Sequence, residues 1–482
     1  MRSIAKSLVF FFFLALFILP SNSRAAERSL SLGLSGSDVT AMQRELIAKG
    51  YLAAGKDSGY FGPLTDAALK KFQCDQKIVC ANSALPGYGT YGPKTKSVLS
   101  GASPGTAPSA VRRFEFSGWI PYWRTATGTA DTLPHLSQLT SVMPFGYTVN
   151  YDGTLNDTAA LTEEPWTSFI AEARKNKVRV IPSVMWGDGD AIHRILSNTK
   201  TRIALEDEIA AIVKQNNFDG IDIDFEAKKY ETANYFSTFL KGLYQRMGKK
   251  WVYCTIEARM PLSHRFSPGA KIPADAQNYA NDYKEINKYC DRVELMAYDQ
   301  GTIDVVLNKA RRAPYAPVAD PAWVEAMVNL VAETISKNKI IVGIPTYGYE
   351  YTVTPLSGSG YKYKVLWPFN PRYATEIAAK LGITPVRTSA GEMGFTYDAK
   401  LLEPAPTGAN STETQQDAIP STSVAENADS QQNTILPLNY MTWSDAEAIA
   451  DKVEIARRLG VRGVAVFKFD GGEDQRMWEV LK

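Results

Sequence analysis

Nine residues, Phe218-Asp219-Gly220-Ile221-Asp222-Ile223-Asp224-Phe225-Glu226, restrict what this chain can become more than any other stretch. Apolar residues alternate with acids, and β-branched Ile221 and Ile223 favour an extended backbone. On a strand, residues two apart share a face, so Asp222, Asp224 and Glu226 point the same way, with roughly 7 Å between successive members. Carboxylates held that close oppose one another's ionisation, because each negative charge raises its neighbours' pKa. A carboxylic acid that keeps its proton at neutral pH is what the leaving oxygen of a glycosidic bond requires. An exposed edge strand with an acidic outer face would show the same alternation. Ile221, Ile223 and Phe225 suit that reading as well as they suit a barrel wall, so the surrounding sequence has to separate the two.

The pattern Asp-Gly-x-Asp-x-Asp-x-Glu, ending at Glu226, is followed about seventy residues on by Met296-Ala297-Tyr298-Asp299, the end of an apolar run begun at Val293. In that order and at that separation, the two motifs resemble those of glycoside hydrolase family 18, the chitinase-like enzymes. The resemblance implies a (β/α)8 TIM barrel whose fourth strand closes on the general acid/base, here Glu226. It also implies that Asp224 turns toward the substrate's acetamido group and that Tyr298 donates a hydrogen bond to the acetamido carbonyl. Asp222 would sit deeper and share a proton with Asp224, although a purely structural acid fits as well. Strict alternation puts Met296 and Glu294 on the inward face with Tyr298, unless a strand irregularity turns Glu294 out. Asp299 and Gln300 are candidate substrate contacts beside them.

Apolar strand candidates recur with helical stretches between them, the rhythm of an α/β barrel. They are Phe114–Trp123, Ser141–Thr148, Val178–Trp186, Phe218–Glu226, Trp251–Ala258, Val293–Asp299, Ile340–Tyr347 and Val464–Phe469. A doubly wound open sheet is the alternative, but no glycine-rich nucleotide turn supports it. The gap between the last two strands is too long for one loop, and residues 348–442 read as a small α+β insertion like that of many family members. Within it, residues 404–436 lack aromatic residues, Lys and Arg; such a segment is expected to be disordered. Beyond it, Ser444 and Glu447 suggest a capping box for a helix to about Leu459, closed by Gly460.

Aromatic side chains at strand ends can stack on the apolar faces of sugar rings. The candidates are Trp119, Tyr122, Trp123, Trp186, Tyr347 and Trp443, with Trp123 and Trp443 foremost. Two departures from the family pattern stand out. The last strand has no tryptophan, leaving Phe467 as the ring that aligns with the floor of the sugar site. The glycine-rich phrase of the third strand is replaced by Ser183-Val184-Met185-Trp186-Gly187. Both departures draw the resemblance toward the bacterial envelope and spore-germination branch.

Residues 28–100 form a separate helical segment. Ser37 is placed to cap a helix carrying Val39, Met42 and Leu46 at helical spacing, with Gly50 as its stop. Gly62-Pro63-Leu64-Thr65 returns as Gly92-Pro93-Lys94-Thr95, so the segment has two related halves. With the Asp38-to-Gln43 helix and Gly50-Tyr51, these turns resemble a small three-helix peptidoglycan-binding domain; a stabilising or pro-segment that binds nothing is the alternative. Residues 101–112 read as a small-residue linker, leaving 113–482 for the barrel.

At the amino terminus, Arg2 and Lys6 precede an apolar run from Leu8 to Leu19 and a small-x-small site at Ser23-Arg24-Ala25. This is the pattern of a secretory signal over residues 1–25; an uncleaved anchor is the alternative, although the run is short for a membrane span. In an exported chain, the four cysteines favour disulfides over metal. Cys74 and Cys80 could staple a loop; whether Cys254 and Cys290 pair or remain separate thiols stays open. Three histidines and no paired CxxC give no zinc site, and no cofactor is expected. A formal net charge of +2 gives no case for nucleic acid. The expectation is a monomeric, secreted or envelope glycosidase acting on β-1,4-linked N-acetylglucosamine polymer, peptidoglycan before chitin. The rival is a lectin-like barrel that binds glycan without cutting it. Such barrels usually lack the terminal acid, whereas Glu226 is present.

Overall fold

The computed structural model describes residues 29–80, 87–99, 114–356, 360–401 and 437–482. The expected signal (1–25), linker (101–112) and disordered segment (404–436) lie outside the described residues. No helix among the described residues is long and apolar enough to cross a membrane. The chain divides into two compact units between Val111 and Arg112.

In the smaller unit, α1 (Ser37–Ala48), α2 (Pro63–Asp75) and α3 (Pro93–Leu99) surround a core that includes Met42, Leu46, Phe61 and Phe72. Pro63 occupies the first turn of α2, where its missing N–H leaves no bond unmade. The cap of α1 is Gly36, one residue before the expected Ser37. Gly36 enters the helix at φ 151, a conformation that side-chain-bearing residues avoid.

One hydrogen-bonding device appears twice in this unit. The Gln43 amide donates to Tyr60 O and Thr65 Oγ1, both at 2.9 Å, and its oxygen accepts from Gly59 N at 2.9 Å. Thirty residues on, Gln73 donates to Thr90 O (2.9 Å) and Thr95 Oγ1 (3.0 Å) and accepts from Gly89 N (2.8 Å). Both glutamines are fully buried, so these bonds remove the desolvation penalty their amides would otherwise carry. Cys74 and Cys80 are joined in a disulfide at the end of α2.

The larger unit is a closed barrel of eight parallel strands. These are β1 (Glu115–Ile120), β2 (Ser141–Val149), β3 (Ser183–Trp186), β4 (Gly220–Phe225), β5 (Trp251–Glu257), β6 (Arg292–Met296), β7 (Ile340–Pro345) and β8 (Gly463–Phe467). β1 pairs with both β2 and β8, which closes the sheet. The expected third strand is split: Arg179–Val180 pairs with β2 separately, because Pro182 has no N–H to give the ladder. Behind β4, the helix Ala233–Met247 buries Phe236, Phe239, Leu240, Leu243 and Met247 at helical spacing. Phe225 stacks on Phe239 with centroids 5.4 Å apart. Burying each such side chain contributes about 1.5–3 kcal/mol, which fixes the apolar face of β4 outward and its acidic face inward.

The amino-terminal mouth of the barrel is closed by charge. Arg292 holds Glu115 through two bonds of 2.7 and 2.8 Å, Arg462 adds one of 2.8 Å, and Arg179 lies 3.5 Å away. Burial pushes the Glu115 carboxyl up, but the guanidiniums, Arg292 foremost, outweigh it and bring it down to about 2. Cys254 and Cys290 are joined in a second disulfide, tying β5 to the approach to β6.

Between β7 and β8 lies a five-stranded antiparallel sheet, in spatial order Tyr361–Phe369, Gly348–Pro355, Leu438–Trp443, Met393–Tyr397 and Val386–Arg387. The helix Pro371–Leu381 packs on it through Ala374 and Ala378. The helix before β8, Ala446–Leu459, is capped by Asp445 rather than by the expected Ser444. Asp445 Oδ1 accepts from Ala448 N at 3.1 Å, while Arg387 pairs with both Asp445 and Glu447. That pairing engages the Glu447 carboxylate, so no reciprocal box forms.

Candidate active site

The neighbours of β4 supply its acids with donors by register. Ser183 on β3 stands opposite Asp222, and Met185 opposite Asp224. Asp222 is fully buried and accepts from Ser183 Oγ (2.6 Å) and Trp119 Nε1 (3.2 Å) on one oxygen, and from Thr255 Oγ1 (2.9 Å) on the other. Asp224 is 5 % exposed, and its Oδ1 has no hydrogen-bond partner among the described residues. Burial pushes both carboxyls up. For Asp224 the charges of Glu226 and then Asp222 add to it, whereas hydrogen bonds draw Asp222 back. Asp222 is thus provided for as an anion, and the proton of the pair belongs on Asp224.

Glu226 follows the last residue of β4 and is exposed at the carboxyl-terminal rim, with its N–H donating to Trp186 O at 2.8 Å. The three acids therefore run up one wall from the buried interior to open solvent. Glu294 is turned inward and fully buried, 3.4 Å from Thr255 Oγ1, and its Oε1 has no partner among the described residues. Burial, reinforced by Asp222, pushes it well above the usual carboxylate range. It is a fourth, neutral carboxyl of the barrel interior.

The Tyr298 ring stacks on Phe467, with centroids 5.3 Å apart and planes at 17°. Burial and the neighbouring Asp224 push its phenol up, so it remains an O–H donor. Phe467 also meets Phe145 (5.7 Å), Tyr347 (5.9 Å) and Trp119 (6.1 Å), forming an aromatic floor inside the mouth. Met296 packs against the same cluster. Asp299 accepts from Tyr347 Oη at 2.5 Å and Tyr349 Oη at 2.8 Å. Trp123 is 43 % exposed, its ring edge-on to Tyr122 and 6.0 Å from Phe145, with surface open to a ligand.

Three residues expected to contact substrate face elsewhere. Trp186 is 7 % exposed and packs edge-on to Phe225 in the outer core, because it shares the apolar face of the sheet. Gln300 is fully buried, donating to Tyr315 Oη (2.9 Å) and accepting from Asp320 N (2.8 Å), so its amide is committed to a neighbouring loop. Trp443 is 3 % exposed and packs on Phe369 and Phe395 in the core of the inserted sheet. Sequence reasoning passed over Ser183, Thr255 and Tyr349. The first two were visible as small hydroxyl residues inside apolar strands, but Tyr349 depends on where the inserted sheet docks. Among the described residues, no group of three or more His, Cys, Asp or Glu could hold a metal ion.

Residues 35–79 match the family described as "Putative peptidoglycan binding domain". The chain is 29 % identical over 166 residues to the uncharacterized glycosylase YvbX of Bacillus subtilis, covering 34 % of this chain and 44 % of that protein. It thus spans less than half the length of this relative. Among solved structures, the fold resembles the spore cortex-lytic enzyme SleL of Bacillus megaterium (TM-score 0.55, 18 % identity, 94 % of this chain and 85 % of that one). It also resembles a chitinase of Chromobacterium violaceum (TM-score 0.55, 18 % identity, 76 % and 98 %). A barrel with an acid ladder on its fourth strand, an aromatic floor and a family model matching residues 118–472 place this chain in family 18 of the glycosyl hydrolases.

Proposed function

We propose that the chain hydrolyses β-1,4-linked, N-acetylglucosamine-containing glycan outside the cytoplasm, as a monomer, with retention and with the substrate's own acetamido group as nucleophile. One observation carries this reading. Glu226 stands at the open rim directly above buried Asp224, on one strand and one face. Neither carboxylate is placed to attack from the opposite side of a sugar ring, which supports a nucleophile carried by the substrate itself. Glu226 gives a proton to the leaving oxygen and then activates water. Asp224 and Tyr298 orient and polarise the acetamido group as charge develops. Trp123 and Phe467 offer ring faces to the sugars, with Tyr347 buried behind them holding Asp299 and Met296 at the border.

Peptidoglycan is favoured over chitin because residues 35–79 match a peptidoglycan-binding family; SleL is similar in fold and is named for lysis of spore cortex. A purely glycan-binding role would have no use for an exposed acid over a protonated partner. Mass analysis of products from purified peptidoglycan and from chitin oligomers tests the assignment. N-acetylated polymer should be cut and its de-N-acetylated counterpart left whole. Rapid cleavage of the de-N-acetylated polymer, or a sugar trapped covalently on a carboxylate, would remove the substrate-assisted mechanism.

A second expectation concerns the smaller unit. Deleting residues 27–100 should abolish sedimentation with purified peptidoglycan while leaving cleavage of soluble oligomers unchanged. Undiminished pelleting of the deletion variant would place wall binding on the barrel.

A further inference from the structure

The turn that follows Glu226 is held from both sides. Ala227 adopts φ +52, a left-handed conformation that costs about 1–2 kcal/mol for a residue with a Cβ and persists only where its surroundings impose it. Its N–H donates to Glu257 Oε1 at 2.9 Å. Its carbonyl oxygen lies so close to Gly189 that a Cβ there would stand 2.2 Å from it. The next residue, Lys228, turns inward: its side chain is 1 % exposed, with Nζ 3.3 Å from Glu257 Oε2 and 4.9 Å from the Phe236 ring centre. Asn281 Nδ2 donates to the same Glu257 oxygen at 2.7 Å. Glu257, the last residue of β5, therefore gathers a strained N–H, a buried ammonium and an amide at the edge of the candidate site.

We infer that Glu257 and Lys228 form a charged clasp that aims Glu226 and sets the electrostatic field over Asp224 and Glu226. This deepens the glycosidase reading and rests on it. The clasp does not reach the bond to be cut, so both are positioning residues. Their action has two parts. Mechanically, the Glu257 carboxylate holds Ala227 in a conformation it would otherwise leave, and the turn fixes where the preceding side chain points. Misplacing a proton donor by an ångström costs on the order of 10²-fold in rate. Electrostatically, the buried ammonium opposes burial and the charges of Glu226 and Asp222 at Asp224. The titratable and charged groups facing the clasp are Asp224 from β4, Glu226 just beyond it, and Arg259 and Tyr283 from the chain after β5.

The two residues carry opposite charges, so their removal has opposite consequences. Glu257→Gln keeps an acceptor for Ala227 N–H but leaves the Lys228 charge unbalanced, which favours the carboxylate form of the acid. Lys228→Met does the reverse. With full-length protein and a fluorogenic chitotrioside as probe, the alkaline limb of the kcat/KM profile should move down by about one pH unit in Glu257→Gln and up by a similar amount in Lys228→Met. Glu257→Ala should lower kcat by about 10–100-fold with KM within about twofold. Circular dichroism checks that each variant is folded, and the two conservative variants carry the test if Glu257→Ala is not. Profiles that superimpose on the wild type, or that move the same way, overturn the clasp while the wild-type rate stands. If the wild type cuts neither the chitotrioside nor peptidoglycan, the glycosidase reading falls and the clasp with it.

Discussion

Glu226→Gln should lower kcat by about 10²–10⁴-fold, the range expected when a positioned general acid is removed. Binding of a soluble N-acetylated oligomer, measured by calorimetry, should stay within about twofold of the wild type, because glutamine is isosteric and the loss is confined to the transition state. The structure explains why no neighbour should stand in. Asp222 is buried under three donors, Glu294 is fully buried and turned toward Thr255, and Asp224 is 5 % exposed beneath the rim. A variant that retained a tenth of the wild-type rate would assign proton donation to another group.

The second large effect is expected at the opposite end of the barrel. Glu115→Ala leaves Arg292, Arg462 and Arg179 facing one another without their carboxylate. Removing one partner from a buried ionic cluster costs about 3–5 kcal/mol, a fall in Tm of roughly 4–6 °C for a unit of this size. Acid should reproduce part of that loss in the wild type. The folded-state carboxyl of Glu115, at about 2, lies below its ordinary value of 4.5. Its contribution is therefore complete above the ordinary value and is lost as pH falls through about 2. The difference corresponds to about 3 kcal/mol. Thermal unfolding followed across pH 2 to 7 checks both statements. A Glu115→Ala melting curve coincident with the wild type would show that the cluster contributes nothing net.

Much of the fold was legible because its signals are local. Period-two alternation between Asp219 and Glu226 needs only the geometry of an extended chain, and it gives both the strand and the inward direction of the acids. Eight apolar runs give a barrel for the same reason. What the sequence leaves open depends on contacts between distant segments. Ser183 and Thr255 meet Asp222 only because β3 and β5 flank β4 in one register. Gln300 follows the Tyr298-Asp299 motif directly, yet Asp299 at φ +60 turns the chain and sends the next side chain into a loop. Trp443 looks the better suited to meet a sugar, and Phe467 only a substitute for a missing tryptophan. The inserted sheet decides between them by folding over the first and leaving the second stacked under Tyr298. Cys254 and Cys290 could not be paired from spacing alone, because their bond spans adjacent strands rather than a local loop.

The paired glutamines of the smaller unit have a directional consequence. Gln43 sits on α1 and fastens the turn that begins α2, and Gln73 sits on α2 and fastens the turn that begins α3. Through these glutamines each helix fastens the start of its successor, while Tyr91, just before α3, reaches back to Glu45 on α1. A lesion at Gln43 deprives the second clasp of the helix that bears it, whereas a lesion at Gln73 leaves the first clasp whole.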